Sequence, residues 1–223
     1  MAYQFDFGSL SGYWGLLAKG AGLTMALTLV GGVAGVAMGI AGAWARTRRV
    51  PLLAPLVACY VELIRNTPFL VQLFFLFFGL PALGVRLGEF QAAALAMVIN
   101  LGAYSTEIIR AGVQSIPRGQ IEAAQSLAMT PLQTFRYVVL APALKKIWPA
   151  LSSQVVIVML GSSVCSQIAA EELTFAANFI QSRNFRAFEV YFVVTGLYLA
   201  LSLMVRWVLA RLGAYWFERR RHA

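Results

Sequence analysis

Polar positions interrupt this chain at long, uneven intervals. Between them lie five predominantly apolar stretches, at about 16–45, 52–80, 90–109, 147–170 and 187–212. About 20 consecutive apolar residues are enough to cross the hydrocarbon core of a bilayer, so the pattern predicts five transmembrane helices. Residues 116–135, "IPRGQIEAAQSLAMTPLQTF", break the pattern. Pro117 suits the first turn of a helix, where its missing N–H costs nothing. Ile121, Ala124, Leu127 and Ala128 then recur at helical period and predict an amphipathic helix of about three turns. Thr130-Pro131-Leu132-Gln133 reads as a second start, with Thr130 as N-cap, Pro131 in the first position and Gln133 closing a capping box. Leu132, Phe135 and Val139 would share one face of that second helix, which should yield near Pro142. From these residues alone, a rigid knob for a partner protein and a pair of helices lying on lipid are equally open.

Composition agrees with the windows. Of 223 residues, 60% are hydrophobic and 12% charged, against about 45–50% apolar in soluble domains, and the expected class is an all-α integral membrane protein. The first stretch is too long for a signal peptide, has only Lys19 in front of its apolar run and is followed by Arg46, Arg48 and Arg49; it is expected to stay as an anchor. No low-complexity run or long linker divides residues 1–223, so a single domain is expected.

The formal charge of +9 changes the picture less than its distribution does. Lys and Arg gather in the first connection (Arg46, Arg48, Arg49), in the third (Arg118, Arg136, Lys145, Lys146) and in the tail (Arg219, Arg220, Arg221). Basic short loops mark the cytoplasmic side, which predicts an outside N-terminus and a cytoplasmic C-terminus. The charge then follows from topology, and no nucleic acid is expected as a partner. Cys59 and Cys165 sit in apolar windows and His222 is the only histidine, so neither a metal site nor histidine-based catalysis is expected. The residues offer no catalytic set of nucleophile, base and orienter.

Polar groups at membrane depth are the candidate chemistry. Counting about 1.5 Å per residue from Pro51 puts Glu62 and Arg65 roughly 16 to 21 Å deep. Charges i and i+3 share a helix face, and a structural ion pair between Glu62 and Arg65 is the expected state, with a solute contact from Arg65 as the rival reading. Pro68 cannot donate to the carbonyl of Ile64 and so frees an acceptor at that depth. Transporters build midplane sites from such breaks, and Asn66, Thr67 and Gln72 are candidates to hold a zwitterionic solute. Asn100, near the middle of the third stretch, could join them or merely tie helices together. Ser162 and Ser163, beside Gly161, could bind a ligand or bond back to their own helix. Gly31, Gly35 and Gly39 line one face of the first helix for close packing within the protein. The segment at 171–191 predicts a short outer helix with a turn at 182–184.

Four stretches carry a family resemblance. "IEAAQSLAMTPLQTFRYVVLAPAL" resembles the EAA loop of permease subunits of ATP-binding-cassette importers. "YVELIRNTPFLVQLFFLFFGLP", "AYSTEIIRAGVQSIPRGQIEAA" and "FRAFEVYFVVTGLYLALS" are similar to the subfamily for polar amino acids. The resemblance runs from about residue 22 to 216. It implies a coupling helix that docks in a groove of a separate cytoplasmic ATPase subunit through Pro117, Arg118, Gln120, Glu122, Ala123, Ala124, Ser126, Leu127, Met129 and Thr130. It also implies a second permease chain, an outer solute-binding protein, and ATP with Mg on the ATPase, leaving no cofactor on this chain. No G-x-x-x-x-G-K-[ST] phosphate loop occurs in the sequence, and the implied work comes from that partner through alternating access. The family typically has Lys-Asp-Thr-Ser-Leu where this chain has Leu160, Gly161, Ser162, Ser163 and Val164, which favours a non-identical sister chain over a homodimer. It usually has glycine at the position of Ala128 and Pro-Gln at Ala141-Pro142, so a slightly shifted turn is expected. The competing function is an ion-coupled carrier, although such carriers usually show internal repeats and intramembrane carboxylates, and Glu62 is the only deep one, Glu107 lying nearer the cytoplasmic end.

Overall fold

The computed structural model describes residues 4–130 and 133–218, and every regular element among them is helical. A 3₁₀ turn, Phe7–Tyr13, leads into helix α1, Trp14–Thr47. Next come α2, Leu53–Arg65, and α3, Phe69–Phe74, which is prolonged by a π turn and a 3₁₀ turn to Leu83. Helix α4 is Glu89–Gln114, and α5, Arg118–Ser126, is the short amphipathic element. A π turn, Thr134–Val139, opens α6, Leu140–Gly161, whose end tightens to 3₁₀ over Ser162–Ile168. Helices α7, Leu173–Asn184, and α8, Ala187–Glu218, complete the described chain.

Four continuous runs are long and apolar enough to cross a membrane: Phe7–Thr47, Glu89–Gln114, Pro142–Ile168 and Ala187–Trp216. The fifth expected span is not one helix. Its halves, Leu53–Arg65 and Phe69–Leu83, meet at 112°. Pro68 enforces the break, because its ring and missing N–H stop the ladder of α2 from continuing.

Small residues set the central seam. A Cβ on Gly39 would fall 2.4 Å from Cβ of Ser105, and one on Gly35 would lie 2.8 Å from Cβ of Leu101. The glycine face of α1 is therefore the seat of α4 within one chain, as close small-residue packing predicts. Around this seam Leu27, Met97, Leu101 and Cys165 are buried.

Three local expectations need correction. The helix of 133–161 does not yield at Pro142; it widens into the π turn just before, and Pro142 falls third in α6, within the first turn, where a missing donor is tolerated. The predicted second short helix is thus the foot of α6 itself. The turn after α7 comes at Phe185, which takes φ 56°, one residue beyond the expected 182–184. Helix α7 is held against its neighbours, since Leu173, Ala176, Ala177 and Ile180 pack with Leu10, Leu17, Val190 and Val194.

Candidate functional site

The break between α2 and α3 is braced from within. Gln72, buried, donates Nε2 to the Ile64 carbonyl at 2.8 Å, the acceptor that Pro68 releases. The same nitrogen lies 3.0 Å from the Thr67 carbonyl and 2.9 Å from Thr67 Oγ1. Asn100 Nδ2 donates to Gln72 Oε1 at 3.1 Å, bolting the brace to α4, and Tyr60 donates its hydroxyl to the Ile99 carbonyl at 2.5 Å. Gln72 and Asn100 were candidates for solute contact; the structure commits them to each other and to the freed backbone. An unpaired carbonyl at this depth would cost about 1–3 kcal/mol, which explains a buried amide here.

The other predicted pocket groups surround that brace. Thr67 donates to the Leu63 carbonyl at 2.8 Å, and Asn66 Nδ2 donates to the Glu62 carbonyl at 2.8 Å and to Glu62 Oε2 at 3.1 Å. The expected ion pair between Glu62 and Arg65 does not form. Instead the guanidinium of Arg65 sits over the Tyr104 ring, 5.5 Å from its centroid, while Glu62 takes Asn66. Both residues lie within α2, so side-chain direction, not a break in the helix, separates them. Glu62, Arg65 and Asn66 are exposed and Tyr104 is half-buried, so one face of the chain presents a cation, an anion and amide groups beside a phenol. Ser162 and Ser163 are elsewhere engaged, each bonding back at 2.7 Å, to the carbonyls of Met159 and Leu160.

The amphipathic element is rigidly built. Pro117 is its N-cap, one position earlier than expected. At its end the Met129 N–H donates to the Ala124 carbonyl at 3.1 Å and the Ala128 N–H to Gln125 at 2.9 Å, a Schellman closure with Ala128 at φ 55°. Ala128 therefore holds the left-handed position where glycine is most at ease. The capping box is present in both directions: Thr130 N–H to Gln133 Oε1 at 2.8 Å, and Gln133 N–H to Thr130 Oγ1 at 3.3 Å. Pro131 and Leu132 lie outside the described residues.

The faces of this knob differ from the expected stripe. Ala124, 3% exposed, turns inward, while Ile121 of the same helix packs on a small core of Ile116, Val139 and Ala143 with Val113. Leu127, by contrast, is 77% exposed. Pro117, Arg118, Gln120, Glu122, Ala123, Ser126 and Thr130 are exposed with it, and Met129 is half-buried. Phe135 is exposed while Thr134 and Val139 are buried, because a π turn brings residues five apart onto one face.

Two polar clusters were not visible in the sequence. Glu107 binds Arg46 of α1 and receives Arg110 Nη2 at 2.6 Å, and Arg110 Nη1 donates to Gln114 at 2.7 Å. At the other end, fully buried Glu172 caps α7 by accepting the Phe175 N–H at 2.9 Å, and Tyr198 donates to its Oε2 at 2.5 Å. Glu172 lies between the spans. Burial pushes its carboxyl above the usual carboxylate range, against the opposing pull of the Tyr198 and backbone hydrogen bonds. Only a capping signal at Glu172 could have revealed this, and Glu is not a preferred N-cap.

Residues 31–220 match the family described as the binding-protein-dependent transport system inner membrane component. The chain is 35% identical over 211 residues to the glutamine transport system permease protein GlnP of Escherichia coli strain K12, covering 94% of this chain and 96% of that one. It is 38% identical over 172 residues to the L-cystine transport system permease protein TcyB of Bacillus subtilis strain 168, covering 77% and 74%. Among solved structures, one described as an amino acid ABC transporter with histidines superposes with a TM-score of 0.86 at 35% identity, over 97% of this chain and all of that one. An inward-facing methionine ABC transporter, MetNI, superposes with a TM-score of 0.77 at 22% identity over 92% of this chain and 98% of the other, a likeness of fold.

Proposed function

This chain belongs to the binding-protein-dependent transport system inner membrane components, non-catalytic membrane subunits of ATP-binding-cassette importers, and on that premise we propose that it moves a polar amino acid by alternating access. The glutamine and cystine permeases it resembles support that substrate class over an ion-coupled carrier. ATPase subunits and a solute-binding protein are its partners by family. ATP and Mg are held by the ATPase, with no cofactor on this chain, and residues 1–223 act as one permease domain. The basic connections favour a cytoplasmic C-terminus and knob.

The observation that carries the mechanism is the knob's construction. Helix α5 is locked at both ends and packs through Ile121 on Val139 of the π turn and Ala143 of α6, so a push on Glu122, Ala123 and Leu127 reaches the spans. A rigid element transmits displacement where a loose loop would absorb it. The ATPase contact set is then Pro117, Arg118, Gln120, Glu122, Ala123, Ser126, Leu127, Met129 and Thr130, without Ala124. Solute contact falls to Arg65, Asn66 and Thr67, since Gln72 and Asn100 serve as the brace. A sister chain supplies the charged residues that Leu160–Val164 lacks, in a heteromeric pair.

Ala123→Trp in reconstituted transporter tests the reading. Solute uptake should fall at least tenfold while the ATPase still hydrolyses ATP; uptake that stays coupled and undiminished would sink it.

A further inference from the structure

Helices α1, α6 and α8 enclose a lateral groove of about 520 Å³ whose lining includes no described residue of α2, α3 or α4. Along α1 it runs from Met25 to Ile40, about 22 Å at 1.5 Å per residue. Its lining is almost wholly apolar along that length, which suits one extended hydrocarbon chain.

The floor is shaped by small residues. A Cβ on Gly32 would meet only Val155, at 3.9 Å. One end is closed by Trp148, whose Nε1 donates to the Leu209 carbonyl at 2.9 Å and whose ring lies so close to Gly213 that a Cβ there would fall 2.3 Å from Nε1. Lys145 stands three residues before Trp148, on the same helix face, and Arg211 three after the groove-lining Val208, its guanidinium 5.2 Å from the Trp207 centroid. Both cations are exposed. The only acidic residues of these three helices are Glu189, at the far end of α8, and Glu218, about two turns past Arg211.

We propose that this groove holds one acyl chain of an anionic inner-leaflet phospholipid, with its phosphate at Lys145 and Arg211. Basic pockets between membrane helices on the cytoplasmic side recognise such head groups, and the groove supplies the matching apolar slot. The proposal rests on the orientation given above, with the Lys145 end in the cytoplasm.

The test is native mass spectrometry of the assembled transporter from nanodiscs of equal phosphatidylglycerol and phosphatidylcholine. One phosphatidylglycerol per permease chain should be retained, at least fivefold over phosphatidylcholine. Gly32→Leu fills the floor without striking backbone and should abolish retention. Lys145→Glu with Arg211→Glu should keep a retained lipid and erase the preference. Equal retention of the two lipids by the wild type, or retention unaffected by Gly32→Leu, would overturn the proposal. So would cross-linking of Ser152→Cys to a second permease chain, or labelling of Lys145→Cys from the outer side. Solute uptake on the same preparations reads the importer function separately.

Discussion

Two residues hold conformations or environments that their side chains disfavour. Ala128 sits at φ 55° to close α5, and a left-handed backbone costs a non-glycine residue roughly 1–2 kcal/mol. Ala128→Gly should therefore stabilise the subunit by about 1 kcal/mol, since glycine at this exposed cap gives up little else; a lowered midpoint in detergent unfolding would contradict it. Glu172 is the second case. Its folded carboxyl is raised by burial, so the folded state binds its proton more tightly than the unfolded chain. The contribution is complete below the ordinary carboxylate range and is lost as pH rises toward the elevated folded value. Glu172→Gln keeps an acceptor for the Phe175 N–H and removes the titration. Its unfolding midpoint should change less than the wild type's as pH rises from the ordinary carboxylate range to neutrality, and parallel curves would show that Glu172 does not titrate in that window.

At the scale of the element, the decisive object is the brace across the α2–α3 break. Gln72→Leu strands the Ile64 carbonyl and the Asn100 amide, each at a cost of about 1–3 kcal/mol. Asn100→Leu alone strands only Gln72 Oε1 and the double substitution strands only the Ile64 carbonyl, so the double should cost at least about 2 kcal/mol less than the two single costs added together. Thermal unfolding of the three variants checks this, and strict additivity would mean that the two amides act independently. The break was legible in "NTPFLVQ", because Pro68 both ends one ladder and releases a known carbonyl. Gln72's role as its partner was not, because the sequence cannot say that the chain turns through 112° and brings residue 72 back to residue 64. The same limit explains the knob. Caps and turn chemistry are local and were readable at Thr130 and Gln133, whereas the inward face of Ala124 depends on where α6 lies. Hydrophobic windows mark apolar segments for the same reason that they missed Glu172: periodicity reports the average surroundings of a segment, not the burial of one polar group.

The whole molecule has two unlike flanks. One carries the apolar groove of α1, α6 and α8; the other exposes Glu62, Arg65 and Asn66 on α2. A charge left at mid-bilayer costs about 2.5–3.5 kcal/mol even on insertion scales, and the Glu62–Arg65 pair that could have neutralised it within the chain is not formed. The charged flank must therefore be covered by protein or by a water-filled path, and on the function proposed above a second permease chain covers it. Cys59, exposed on α2 three residues before Glu62, reports on this flank, while Cys165 is buried and silent. A membrane-permeant maleimide should label Cys59 readily in the chain expressed alone. In the assembled transporter its labelling should slow at least fivefold. Equal rates in the two states would place the charged flank outside the permease pair, and the path for solute would have to be sought on another face of the chain.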